Sequence, residues 1–395
     1  MSSDRIPVVP GVLEWARLSS GLTIAAAAKK LTIGEQTLQR WEAGESPPTI
    51  KQLRKAGKVY GRPLAVLLLP TPPRDYQPIR DFRTGWDGMP VTWSPPLHKE
   101  MKRAFSQREV VLEIAEIAPA TVPESILLPT ISRDLSPEAA ADSLRVWLSL
   151  DDLPKSLWSQ PFRLLNTVVK AVEELGILII QTQGIEIQEM RGFSFAEQPY
   201  SVIALNGKDW PRPRLFTLLH ELCHIATNLS GICDLHETQN VTMERDDIED
   251  YCNRVAAAVL VPRDRVLAVE KVVLAQSTTR WTLEELESLS RPFGSSSEAM
   301  LLRLISLGKA DWDTYRVRKP EFEQEYEVAR QREKGRRKAA KGGPSYYTVK
   351  ARDLGHGYIS SVLDAYAQKA ISSLDAADYL EVRYDQIPKL EEAAR

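Results

Sequence analysis

Residues 215–227 read LFTLLHELCHIAT, and how His220-Glu221-x-x-His224 is read decides the fold of the chain's second half. On a helix, His220 and His224 project from one face, so two imidazoles can take two corners of a tetrahedral zinc. Glu221 stands about 100° further round the helix, placed to reach a water beside the metal rather than the metal itself. Leu215, Phe216, Leu218, Leu219, Leu222 and Ile225 supply the apolar surface that would bury such a helix. The plainer alternative is an amphipathic helix with two packed histidines, and the surrounding sequence has to decide between them.

A catalytic zinc needs a third protein ligand and an open position. The form with a third histidine, HExxHxxGxxH, fails because Thr227 and Ser230 stand where glycine and histidine would be. His236 lies in a loop-like stretch, GICDLHETQN, with no helix to fix it. Further on, DIEDYCNRVAAAVLVP (247–262) is strongly helical up to Pro262. Within it Glu249 and Asn253 form an i, i+4 pair: Glu249 can complete a His2Glu site binding one Zn2+ per chain, with Asn253 hydrogen-bonded to a ligand histidine. Asp250 is the runner-up ligand, on another face. A peptidase also needs a donor to the developing oxyanion, and Tyr251, His236, Arg254 and His98 remain unranked for that role.

Upstream, helices are expected over 97–118, 137–150 and 161–175, followed by three short strands in GILII (176–180), RGFSFA (191–196) and YSVIALN (200–206). A small sheet beside an HExxH helix can hold an extended substrate by strand addition at its edge. LFTLLHELCHIAT followed by IEDYCNRVAAAVLVP resembles the ImmA/IrrE family of zinc metallo-endopeptidases. The similarity runs from about Gly176 to Val261, and more weakly through FGSSSEAMLLRLISLG (293–308). The resemblance implies a gluzincin-like site with His220, His224 and Glu249 as metal ligands and Glu221 as general base. Where the family often has glycine before the second histidine, this chain has Cys223, read as a small packed side chain.

Near the amino terminus, TIAAAAKKLTIGEQTLQRWEAGESPPT (23–49) contains two short helices joined by a tight turn. Thr23 is the expected cap of the first, which ends near Leu31; the second runs from about Gly34 to Ala43 and is stopped by AGESPP. Ala27, Leu31, Ile33, Leu38 and Trp41 can share one core, with Ala28 leaving room for the helices to cross. The segment resembles the Cro/repressor (Xre-like) helix-turn-helix family, which usually has glycine in the turn where Thr32 stands, so the backbone there calls for a left-handed residue. The family likeness places Glu35, Gln36, Thr37 and Arg40 at base edges in the major groove. Gln suits adenine and Arg guanine. Ten basic against five acidic residues give the first 70 residues a net charge of +5. Dimerisation is implied if the domain binds an operator, while a helix-turn-helix that binds only protein is the alternative.

The whole 395-residue chain has a formal charge of -2, which argues against uniform coating by nucleic acid, and 43% apolar with 26% charged residues describes a folded protein. Cys223, Cys233 and Cys252 lack CxxC spacing, so a reducing compartment and a cytoplasmic location are expected, with no membrane partner. The expected fold is multidomain, mainly α with a small mixed β-sheet (α+β). Its parts would be a helix-turn-helix domain at 1–70, a proline-rich linker at 71–96 whose IRDFRT docks on the next domain, a peptidase domain at 97–328, a basic hinge at 329–344 and a C-terminal helical interaction segment at 345–395. His356, between two glycines, reads as a loop residue, and Ser372 or Ser373 as a helix cap.

An Xre-like domain joined to such a peptidase implies a DNA-associated zinc endopeptidase. It would cleave or control a helix-turn-helix repressor in a stress response, a mobile element or a toxin–antitoxin pair, with operator DNA and a repressor or a toxin encoded nearby as partners. The alternative is a DNA-binding regulator or antitoxin whose metal domain senses or binds a protein without proteolysis.

Overall fold

The structure, a computed structural model, describes residues 6–62, 64–72, 93–121, 130–228, 231–233, 243–339 and 343–394. It divides into two compact units, the described residues up to Phe105 and those from Ser106 onward. IRDFRT, His236 and most of the expected linker lie outside the described residues.

The first unit is built on four helices, α1 (Pro10–Leu18), α2 (Ile24–Leu31), α3 (Glu35–Glu42) and α4 (Ile50–Tyr60). Thr23 caps α2 by accepting from the Ala26 amide at 3.2 Å, and Thr49 caps α4 in a reciprocal pair with Gln52. Between α2 and α3, Thr32 takes the left-handed conformation at φ 60°, ψ 47°. Leu13, Ala27, Ala28, Leu31, Leu38, Trp41, Leu53 and Leu67 form the core. One ion pair ties α1 to α3: Arg17 donates from Nε and an Nη to the two carboxylate oxygens of Glu42 at 2.8 and 2.9 Å, both side chains being buried.

Helix α5 (Pro95–Ile117) begins in the first unit and ends in the second. The second unit continues with α6 (Pro137–Trp147) and α7 (Pro161–Glu174), then β1 (Leu178–Thr182), β2 (Gly192–Phe195) and β3 (Val202–Asn206). Helix α8 (Pro211–Ala226), strand β4 (Gly231–Cys233) and helix α9 (Met243–Leu260) follow. The sheet order is β1-β3-β2-β4, with β1 parallel to β3 and β2 antiparallel to both its neighbours. Every residue of β1, β2 and β3 is buried, because helices cover the sheet: α8 packs against β2 and β3, and α7 against β1. β4 falls in a stretch the sequence reads as loop. Only three residues long, it is held by backbone pairing with β2 and leaves no periodic side-chain signal.

Helix α9 packs along α8, and two buried arginines hold its carboxyl end. Arg145 of α6 donates to the Val259 carbonyl and to Asp151. After α10 (Arg263–Leu267), α11 (Glu270–Leu274) and α12 (Leu283–Ser290) comes α13 (Ser297–Ser306), whose Arg303 donates to the Val261 carbonyl at 3.0 Å and to Glu138 at 2.7 Å. These guanidiniums satisfy terminal carbonyls that a helix leaves open.

Helix α14 (Trp312–Ala339) runs without a break through the first part of the segment read as a basic hinge, since its lysines, arginines and alanines are good helix formers. Four helices complete the chain: α15 (Tyr346–Leu354), α16 (His356–Ala367), α17 (Ser373–Tyr379) and α18 (Ile387–Ala394). They pack back on the second unit, with α15 and α16 against β1. Gly355, at φ 89°, makes the approach to the Ile179 carbonyl that a side chain would block. His356 opens α16 rather than sitting in a loop, and its Nδ1 lies 2.9 Å from the Ala394 carbonyl oxygen. Ser372 caps α17 in a reciprocal pair with Asp375.

Candidate metal centre

The arrangement of α8 against α9 brings three side chains to one point. His220 and His224, one turn apart on α8, are fully buried, and their Nε2 atoms lie 3.0 Å from each other. From α9, Glu249 reaches across with one carboxylate oxygen 3.3 Å from each Nε2. For bonds of about 2.0–2.1 Å to a tetrahedral zinc, neighbouring donor atoms stand about 3.3 Å apart. The three observed separations are therefore those of donors arranged around one small cation, and the set of two neutral nitrogens and one carboxylate oxygen suits zinc. Burial works to raise the Glu249 carboxyl pKa, but its contacts with the two imidazoles outweigh it and hold the group below the usual carboxylate range.

Asp250, the other acidic candidate, faces solvent and pairs with Arg254 at 3.5 Å; its side chain is 66% exposed against 13% for Glu249. Asn253 does not take the position expected of it: among the described residues it makes no hydrogen bond to either histidine. In an imidazole Nδ1 lies across the ring from the Nε2 edge that Glu249 occupies, and Asn253 sits a further turn, about 6 Å, along α9.

Glu221 is fully buried, and the sheet holds it. Its Oε2 accepts from Ser194 Oγ of β2 at 2.8 Å. Gly192, two residues back on the same face of β2, abuts the carboxylate: a Cβ there would come within 2.9 Å of Glu221 Oε1 and 2.5 Å of Thr217 Cγ2. Neither Gly192 nor Ser194 stands out in a reading that treats RGFSFA as plain strand. The available signal is the alternation itself, with small residues at 192 and 194 and phenylalanines at 193 and 195.

The oxyanion candidates are dispersed. Arg254 is exposed in its pair with Asp250. Tyr251 packs against the core, its hydroxyl buried and its pKa pushed up to about 12 by that burial and by the nearby thiols of Cys223 and Cys252. His98 lies in the first unit against Trp93, with ring centroids 5.0 Å apart. His236 lies outside the described residues. Cys223 and Cys252 are buried and not joined in a disulfide.

In the first unit, Glu35, Gln36 and Arg40 are exposed on α3 opposite Leu38 and Trp41, while Thr37 is half-buried. Among the described residues, Arg40 has one loose ion-pair partner, Glu45 at 3.9 Å, and both side chains are open to solvent.

Fold and site thus define a small helical domain containing a helix-turn-helix, followed by an α+β unit with a buried HExxH helix. Residues 172–304 match the family model described as IrrE N-terminal-like domain, and residues 13–67 match the one described as helix-turn-helix. In chain order, a stretch similar to Xre-type helix-turn-helix domains is thus followed by one similar to IrrE/ImmA-like domains. No curated protein matches it. Among the described residues, no helix is long and apolar enough to cross a membrane.

Proposed function

We propose that the chain is a DNA-associated, zinc-dependent endopeptidase that acts on a transcriptional regulator. The observation that carries this reading is the convergence of His220, His224 and Glu249 at tetrahedral spacing, with the buried carboxylate of Glu221 on the same helix. Zinc, when held by these three residues, supplies Lewis acidity at a peptide carbonyl and makes water more acidic. Glu221 takes the water proton at Oε1, its Oε2 being held by Ser194, and returns it to the leaving amine. Full burial of His220, Glu221 and His224 keeps bulk water from this exchange.

The exposed Glu35, Gln36 and Arg40, with Thr37 beside them, support an operator-reading role for the first unit, working as one half of a dimer. A helix-turn-helix repressor is the favoured substrate, and a toxin encoded nearby is the alternative partner.

The test uses zinc-loaded full-length protein against a pool of internally quenched peptides and a panel of helix-turn-helix repressors. Wild type is expected to cleave and Glu221→Gln to retain zinc without cleaving. Cleavage that survives Glu221→Gln, or none by wild type, contradicts the reading; the latter leaves a DNA-binding regulator with a metal-binding domain. Gln36→Ala with Arg40→Ala should weaken binding to double-stranded DNA and leave metal content unchanged.

A further inference from the structure

We infer that Ser194 is a positioning residue for Glu221, and that Gly192 and Ser194 together form a cradle on β2 that fixes the orientation of its carboxylate. The inference rests on the reading of Glu221 as the general base. Glu221 lies in the middle of α8, packed against a strand paired on both edges: β2 is the interior strand between β3 and β4, with Gly192 opposite Leu205 and Cys233, and Ser194 opposite Ile203 and Gly231. Residues at i and i+2 of a strand share a face, so both cradle residues look at α8 from fixed positions.

Their contributions differ. Gly192 provides room, since any Cβ there would crowd Glu221 Oε1 and Thr217 Cγ2. Ser194 provides a donor, 2.8 Å from Oε2. A fully buried hydroxyl on a strand is costly unless it is hydrogen-bonded, and among the described residues the carboxylate of Glu221 is its only side-chain partner. A glutamate side chain has three rotatable bonds. Fixing Oε2 against Ser194 while Oε1 lies beside the Gly192 backbone leaves one orientation of the carboxylate plane. A base held this way needs no reorganisation before it moves a proton, and supporting contacts of this kind separate a precise site from a loose one.

The test compares zinc-loaded full-length wild type, Ser194→Ala and Ser194→Thr on one cleaved member of the quenched-peptide pool. Ser194→Ala is expected to lower kcat on the order of 10-fold to 100-fold with KM unchanged, and Ser194→Thr, which keeps the hydroxyl, to recover most of it. Zinc per chain should stay the same in all three. A kcat within about twofold of wild type in Ser194→Ala overturns the proposal. So does a loss that tracks zinc content, which would make the hydroxyl merely structural.

Crystal structures of the zinc-loaded wild type and Ser194→Ala provide a readout that needs no cleavage. The Glu221 carboxylate is expected to rotate in the variant while His220, His224 and Glu249 stay in place, and an unmoved carboxylate overturns the proposal. If wild type cleaves nothing yet the carboxylate rotates on loss of Ser194, the endopeptidase reading fails and the positioning contact stands. Should Ser194→Ala fold poorly, Ser194→Cys keeps a similar volume with a weaker donor and is expected to show the same changes at smaller size.

Discussion

His220 Nε2 stands 3.0 Å from His224 Nε2, one turn along a fully buried helix. Two imidazole lone pairs that close repel each other unless a proton or a cation lies between them, and the Glu249 carboxylate 3.3 Å from both adds the negative charge a cation would favour. Metal removal should therefore loosen the contact between α8 and α9. Thermal unfolding followed with and without chelator is expected to show a lower Tm in the stripped protein; at free zinc of about 100 times Kd the difference corresponds to about 2.7 kcal/mol. Because protons compete for the same nitrogens and carboxylate, zinc affinity should fall as pH is lowered.

The buried pair between Arg17 and Glu42 supports a sharper stability prediction. Among the described residues, Glu42→Ala leaves the Arg17 guanidinium in the core with only the Leu22 carbonyl, 2.8 Å away, as a remaining acceptor. Breaking one side of a buried ion pair costs about 3–5 kcal/mol. A domain of this size has little stability beyond that, so circular dichroism and DNA binding by the full chain should both report loss of the first unit, with metal content preserved.

Thr32 offers the opposite sign. A β-branched residue at φ 60° is strained, and glycine is not. Thr32→Gly gives up the contact in which Lys55 Nζ donates to Thr32 Oγ1 at 2.7 Å, but that contact is exposed. The substitution is expected to stabilise the first unit by roughly 0.5–1 kcal/mol, measured as a higher midpoint in denaturant. A lower midpoint would contradict the assignment of strain.

Asp151 sets a pH dependence. The hydrogen bond from Arg145 holds its carboxyl below the ordinary range against a smaller opposing effect of burial, and the charges of Arg145 and Arg265 add to the lowering. A depressed folded-state pKa contributes stability that is present above the unfolded value, about 3.9, and is lost as pH falls through the folded one. Wild type should exceed Asp151→Asn in stability at neutral pH, by less than about 1 kcal/mol because the carboxylate is half exposed. The gap should close in acid below about pH 3.9. A gap that widens in acid would contradict this.

What was legible in the sequence was whatever left a periodic or chemical mark. The helix-turn-helix could be read from its caps and its apolar spacing, and its strained turn could be anticipated at Thr32. The pair His220 and His224 is visible because both lie on one helix. Glu249 needed a second helix with an acid on the right face, and the distinction from Asp250 became clear only when packing showed which carboxylate turns inward. Ser194 and Gly192 left almost no mark, since their role depends on which side of β2 the helix α8 occupies, a relation between elements rather than within one. Strand β4 was missed because backbone pairing alone defines it. A basic run with good helix formers reads equally as tether or helix, and the packing of α15 and α16 on β1 depends on tertiary contacts that leave no mark within either element.

The most direct test of the central claim is metal content of the purified, zinc-reconstituted full-length protein by mass spectrometry, for wild type, His224→Ala and Glu249→Ala. About one zinc per wild-type chain, lost in both variants, is the predicted result for a site made of two histidines and one glutamate on α8 and α9. Wild type without stoichiometric metal, or Glu249→Ala that keeps it, would contradict the site and with it the proposed peptidase chemistry.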